Sequence, residues 1–304
     1  MLENRKHRLI HLHRSRGLSR KSLRKLLQLD PSLMRIYRLS STQISNYLSI
    51  EQKQAAMLHH DLHNRAIILE TLRDLQNYQV MTIIDVEYPP MLKTIKDAPI
   101  VLYALGDTSL LSHYPSISVI GTRNPSREAG NKTSYLIKPL IKEDWVIISG
   151  MAKGIDSFAH RLALHESGKT IAILGSGFEH IYPYQNKQLF QEIKQHGLVL
   201  SEYPPNVKPR KYHFPERNRI ISGLSFATLV IEATEKSGTM ITVDQALDQG
   251  REVYAVPGSP HIPQSQGCLK LIQEGARIAS SHKDIETDWH ILGKNWYNIS
   301  TNVN

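Results

Sequence analysis

Cysteine is almost missing: Cys268 stands alone in 304 residues. A single thiol excludes an internal disulfide and a cysteine-rich zinc site, and it fits a reducing compartment. Long hydrophobic runs are missing too. No apolar stretch approaches the roughly 20 residues of a membrane span. The N-terminus, Met-Leu-Glu-Asn-Arg-Lys, leads into no signal-peptide core. These absences predict a cytoplasmic protein without membrane contact. There is no internal repeat and no low-complexity segment. Acidic residues are scarce at one end. Residues 1–38 hold eleven Lys/Arg against Glu3 and Asp30, which is the whole net charge of +9. That end is either a surface for nucleic acid or another acidic partner, or a solvated helical face. The remainder is balanced, so any anion site there must be local, built from a few placed residues.

What is present is a globular composition, with 40% hydrophobic residues, and room for two domains. Residues 1–76 read as short helices. Ser19 precedes Leu23, Leu26 and Leu27 at helical spacing, Asp30-Pro31 opens a second helix, and Ser41 caps a third. A longer helix is expected over Glu51–Leu75. Residues 77–115 read as a connecting extension with short strands near Val80–Ile84 and Pro99–Gly106. From Ser116, near-continuous apolar runs alternate with helices: Ile117–Ile120, Val146–Ile148, Thr170–Leu174, Leu198–Leu200, Ala227–Ile231 and Glu252–Val256. That alternation predicts an α/β fold with a mostly parallel sheet covered on both faces over residues 116–286. Residues 287–304 read as a short tail.

A parallel sheet binds ligands beyond the carboxyl ends of its strands. Those ends carry anion-compatible turns. The first is Gly121-Thr122-Arg123, which is neither Gly-x-Gly-x-x-Gly nor a Walker loop. The second is Ser149-Gly150 with Lys153, Gly154 and Asp156, and His160 follows one helical turn later. No third metal ligand is evident, so neither a metal nor a cofactor is expected. Gly175-Ser176-Gly177 and the helix entry Ser237-Gly238-Thr239 offer further backbone donors. Between them lies the richest stretch, His213-Phe214-Pro215-Glu216-Arg217-Asn218-Arg219-Ile220-Ile221. An aromatic and two arginines adjoin a buried-helix start, where unpaired N–H groups suit a phosphate. Upstream, Lys208-Pro209-Arg210-Lys211-Tyr212 interleaves cations with a proline and a ring. Cations that track phosphates beside rings that stack on unpaired bases suit a single nucleic-acid strand. Core anchoring is the other reading of Tyr212 and Phe214.

Taken in order, these residues resemble the DprA/Smf family of DNA-processing proteins. Gly121-Thr122-Arg123, Ser149-Gly150 through His160, Gly175-Ser176-Gly177 with Tyr182-Pro183, Ser201-Glu202, Phe214-Pro215 through Ile221, Glu232-Ala233 with Ser237-Gly238-Thr239, and Val256-Pro257-Gly258 carry the resemblance. The resemblance covers about residues 78 to 285. It implies an extended Rossmann-like core preceded by a small sterile-alpha-motif-like helical domain. It further implies non-catalytic binding of single-stranded DNA, a homodimer, and recruitment of RecA in natural transformation and recombination. By matching position it implies DNA contacts at Gly121, Thr122, Arg123, Ser149, Gly150, Lys153, Lys211, Phe214, Arg217, Asn218, Arg219, Ser237, Gly238 and Thr239. Lys153 stands where many relatives carry arginine, which keeps the charge but loses the fork. A C-terminal winged-helix domain found in many relatives is expected to be absent. The competing reading is an enzyme, a nucleoside-monophosphate phosphoribohydrolase-like protein, with Glu232 as its carboxylate.

Overall fold

The computed structural model describes Leu2 and residues 4–302. The chain forms two compact units, Met1–Tyr88 with Pro99–Tyr103, and Pro89–Ala98 with Ala104–Asn304.

The first unit holds α1 (Arg5–Arg14), α2 (Arg20–Leu29), α3 (Ser41–Leu48), α4 (Gln52–Leu62), α5 (Arg65–Asn77) and the short β1 (Gln79–Thr82). Its core gathers Leu9, Ile10, Leu12, Leu23, Leu26, Ile36, Ile44 and Leu58, all buried. Helix α1 precedes the helices singled out from sequence. Asn4 caps it by accepting from the His7 N–H, and Ser19 caps α2 through the Ser22 N–H. Three expectations are corrected. Asp30-Pro31 opens no α-helix: the Asp30 carboxylate takes the N–H groups of Ser32 and Arg35, and a 3-10 turn, Arg35–Arg38, is all that follows. A short acidic side chain here offers the backbone local bonds that compete with a helix. Ser40 rather than Ser41 caps α3, in a capping box with Gln43. The long helix over Glu51–Leu75 is two helices, because Asn64 turns to accept from Ala66 N–H and starts α5 anew.

The second unit is the α/β body. It runs α6 (Pro90–Lys93), β2 (Val101–Gly106, shared with the first unit through Tyr103), β3 (Ser116–Ile120), α7 (Ala129–Lys142), β4 (Val146–Ser149), α8 (Ile155–His165), β5 (Thr170–Leu174), α9 (Lys187–His196) and β6 (Leu198–Ser201). Then come α10 (His213–Leu224), β7 (Ala227–Val230), α11 (Gly238–Asp248), β8 (Glu252–Ala255), α12 (Pro263–Gln273), β9 (Arg277–Ile278) and α13 (His282–Asn302). Strands β3 to β9 pair in parallel in the order β6-β5-β4-β3-β7-β8-β9. Every residue of β3, β4, β5, β6 and β7 is buried, which is why these strands read as unbroken apolar runs. The strand order reverses at β3: β4 to β6 extend to one side and β7 to β9 to the other.

Helix α10 starts at His213. Phe214 and Pro215 therefore sit in its first turn, where proline's missing N–H would have had no partner. The carboxyl-terminal segment is helical in α13. Its Trp289 ring lies 5.8 Å from Trp145 and 5.0 Å from Phe226, and Trp296 lies 6.0 Å from Phe226. No helix among the described residues is long and apolar enough to cross a membrane.

Candidate nucleic-acid interface

A cavity of about 590 Å³ opens at the carboxyl end of β3, where the strand order reverses. An open doubly wound sheet leaves a crevice at such a point. The turn after β3 supplies Gly121, Thr122 and Arg123. The start of α10 supplies Phe214, Arg217 and Asn218, with Lys211 just before it. The start of α11 supplies Ser237, Gly238 and Thr239. Three segments far apart in sequence thus meet because each leaves or enters the sheet at the same edge.

The glycines serve different ends. A Cβ on Gly121 would lie 2.6 Å from Ile155 and 2.8 Å from the Glu232 carbonyl. One on Gly150 would lie 2.3 Å from the Arg217 guanidinium. Gly154 has φ +80°, and a Cβ there would meet the Thr122 carbonyl at 2.3 Å. These three let protein segments interlock. Gly238 is otherwise: among the described residues a Cβ there meets nothing within 4 Å, so its backbone faces open space. Helix α11 begins without a side-chain cap and without an acidic residue in its first turn. Its first N–H groups are positive and accessible, a site for an anion. Among the described residues, Ser237 Oγ has no hydrogen-bond partner. Thr239 and Thr242, both more than nine-tenths buried, also line the cavity.

Arg123 is exposed, with its guanidinium 6.0 Å from the centre of the Phe214 ring. Phe214 rests against Tyr182 at 5.3 Å, and half of the Tyr182 surface is exposed. Lys211 is exposed at the rim, and Lys153 borders a small adjoining pocket shared with Arg123, Tyr182 and Phe214. The cavity mouth therefore combines cations with two rings. Arg217 forms the floor. It is buried and donates to the carbonyls of Gly150 and Ile173 and to Asn218 Oδ1. Burial pulls its guanidinium down to about 10. Beside it, burial raises the Asp156 carboxyl against the opposing pull of Arg217, and Asp156 accepts from the N–H groups of Gly150 and Ala152.

Two residues expected at the site are placed elsewhere. Ser149 is fully buried, and its hydroxyl donates to the Val119 carbonyl. Arg219 turns away from the cavity and binds both oxygens of Glu202, at 2.7 and 2.8 Å, and Asp97 at 3.2 Å. With a further bond to the Glu216 carbonyl, four of its five N–H donors are taken inside the protein. Gly150 touches the adjoining pocket but not the main cavity. Asp156 and His160 do not pair with each other: His160 bonds the Thr170 hydroxyl, and burial holds it down to about 3. No group of side chains among the described residues is arranged to hold a metal. Glu232 accepts from Ser126 N–H, Ser126 Oγ and Lys132, and it is buried outside the cavity lining. Cys268 is buried, and burial pushes its thiol up to about 12. Tyr182 and Thr242 line the cavity although sequence reasoning did not assign them. Tyr182 follows a glycine-rich strand end, a signal that could have found it. Thr242 carries no such signal.

The family model for DNA recombination-mediator protein A matches residues 79–290. The DNA processing protein DprA of Bacillus subtilis is 47% identical over 210 residues, 69% of this chain and 71% of that protein. The DprA of Streptococcus pneumoniae is 43% identical over 213 residues, 70% of this chain and 75% of its own length. The X-ray structure of Streptococcus pneumoniae DprA superposes with a TM-score of 0.84 at 35% identity, covering 94% of this chain and 98% of that one. A Helicobacter pylori DprA structure, described for its single-stranded DNA binding mode, gives 0.62 at 32% identity over 69% of this chain and 94% of that one. With most of its α/β body inside that match, the chain belongs to the DNA recombination-mediator protein A family.

Proposed function

We propose that the chain binds single-stranded DNA in the cavity at the sheet's reversal point, without catalysis. As a homodimer in the cytoplasm it shields the strand and passes it to RecA. The observation that carries the DNA reading is the convergence of Arg123, Lys211, the Phe214–Tyr182 rings and the open start of α11 on one cavity. Cations and N–H groups hold phosphates, and the rings stack on bases whatever their identity. Single-strand binding by the Helicobacter pylori relative supports the ligand, and the family's recombination-mediator name supports RecA as partner. In this reading Gly121, Thr122, Arg123, Lys211 and Thr239 line the strand's path, with Lys153 beside it. Arg217 and Gly150 shape the floor. The hydrolase alternative needs a free Glu232 carboxylate, and here three donors occupy it.

The test is fluorescence anisotropy with labelled single- and double-stranded oligonucleotides over a salt series. Single strands are expected to bind more tightly, and Arg123→Ala to lower the salt slope by about 0.7 for a single lost phosphate contact. An Arg123→Ala protein that keeps the wild-type slope and affinity would remove the cavity from the interface. Gly238→Ala gives a sharper separation. Its Cβ meets nothing within 4 Å among the described residues, so the melting temperature should hold or rise. The same methyl stands where a phosphate must approach the backbone, so affinity should drop at least about tenfold, on the order of one charge-assisted hydrogen bond. Wild-type affinity in that variant would place the strand elsewhere.

A further inference from the structure

The entire charge excess lies in residues 1–38, inside the first unit. The cavity uses none of it. Part of the charge is neutralised: Lys6 pairs with Asp85, Arg14 with Asp74 and Glu70, and Arg16 with Asp61. These pairs involve α1 and the residues just after it. From Gly17 to Ile50 the sequence holds one carboxylate, Asp30. It is buried, and the N–H groups of Ser32 and Arg35 occupy it. The cations of this stretch therefore face no exposed acid of their own segment.

Local geometry gathers four of them. Lys25 donates to the Leu48 carbonyl at 3.2 Å and to Ser49 Oγ at 3.0 Å. The Arg35 guanidinium lies 4.8 Å over the Tyr47 ring. Lys25 and Arg35 thus converge on the last turn of α3. Lys21 stands one helical turn before Lys25 on the same face of α2. Arg38 follows Arg35 by three residues in a 3-10 turn, where such side chains eclipse. Lys21 and Arg38 carry no ion pair or side-chain hydrogen bond among the described residues. The result is an open cationic face around an arginine-stacked tyrosine. Exposed charges spread along a surface match a chain of phosphates.

We propose that this face of the first unit is a second nucleic-acid contact, taking the phosphodiester backbone of a strand independently of its sequence. The inference rests on the reading that the chain binds single-stranded DNA. It adds a contact that the cavity does not provide.

The test uses the full chain and two exposed substitutions, Lys21→Gln with Arg38→Gln, checked for an unchanged circular-dichroism melt. Anisotropy is measured with an oligonucleotide of about five nucleotides, enough for one compact site, and one of about thirty. On the long strand the double variant should lower the salt slope by about 1.4, two phosphates' worth, so that its deficit closes about tenfold between about 50 and about 250 mM salt. On the short strand it should match the wild type, whereas Arg123→Ala weakens both. An unchanged slope on the long strand overturns the inference and leaves the cavity reading intact. A wild type that ignores the short strand but binds the long one through Lys21 and Arg38 upholds the inference and sinks the cavity. If the double variant loses only binding to polyglutamate, the face serves an acidic protein and the inference fails.

Discussion

Replacing Arg217 with methionine is expected to cost about 2–6 kcal/mol of stability in the α/β unit, from two buried carbonyls that lose their donor and a carboxylate that loses a nearby cation. Two effects combine. The carbonyls of Gly150 and Ile173 lose their donor inside the protein, at about 1–3 kcal/mol for each group left unsatisfied. Asp156, already pushed up by burial, loses the cation that opposes that shift. Its carboxylate must then stay charged without its neighbour or take a proton. The loss should therefore shrink as pH falls, because protonation relieves the stranded carboxylate. Tryptophan fluorescence is the right probe: Trp145, Trp289 and Trp296 are all the tryptophans of the chain, and all lie in the second unit. Urea unfolding of wild type, Arg217→Met, Asp156→Asn and the double variant forms a cycle. The double variant should recover part of the loss. A penalty below about 1 kcal/mol for Arg217→Met would show that the floor is not built on this residue. The practical consequence concerns DNA binding. Affinity lost in an Arg217 variant says nothing of contact unless the same protein is shown to be folded.

Arg217, Asn218 and Arg219 also mark where the sequence stops speaking. As a string they look alike, three polar residues beside a buried helix start. On a helix each is turned by about 100° from the last. Arg217 goes down to the sheet's carbonyls, Asn218 faces the cavity, and Arg219 swings round to Glu202 and Asp97. Nothing in the order of residues says which of the three meets solvent, because the partners come from segments more than a dozen residues away. The same holds for the glycines. Gly121 and Gly238 look alike as strand-end and helix-start glycines, yet one is wedged against Ile155 and the other opens onto empty space. The sheet was legible for the opposite reason. Runs such as Ile117–Ile120 and Thr170–Leu174 are apolar throughout because both faces are covered, and that signal is local. Strand ends, and hence the turns that carry the cavity, follow from it. The break between α4 and α5 was missed because Asn64 interrupts an otherwise continuous helical pattern without glycine or proline, and its capping bond decides the matter.

Stability is expected to fall steeply as pH drops below about 6.5, because three histidines are buried in the neutral form. Burial holds His11 and His13 down to about 4 and His160 down to about 3, against an ordinary value of 6.5. Above pH 6.5 both folded and unfolded chains are neutral at these sites, and the full stability is present. As pH falls, the unfolded chain takes up protons that the folded chain refuses. Each group then removes about 1.4 kcal/mol per pH unit until its folded value is reached. His11 and His13 act on the first unit and His160 on the second. For His160 the state can be assigned further. The Thr170 hydroxyl gives its proton to the Ile147 carbonyl, so His160 must donate from Nδ1 to Thr170 Oγ1. His160→Gln keeps an amide donor of similar reach and removes the titration. Below about pH 6, stability from tryptophan-monitored urea unfolding should therefore fall less steeply in His160→Gln than in wild type, by about 1.4 kcal/mol per pH unit. Parallel profiles for the two proteins would mean that His160 takes up its proton in the folded chain as readily as in the unfolded one.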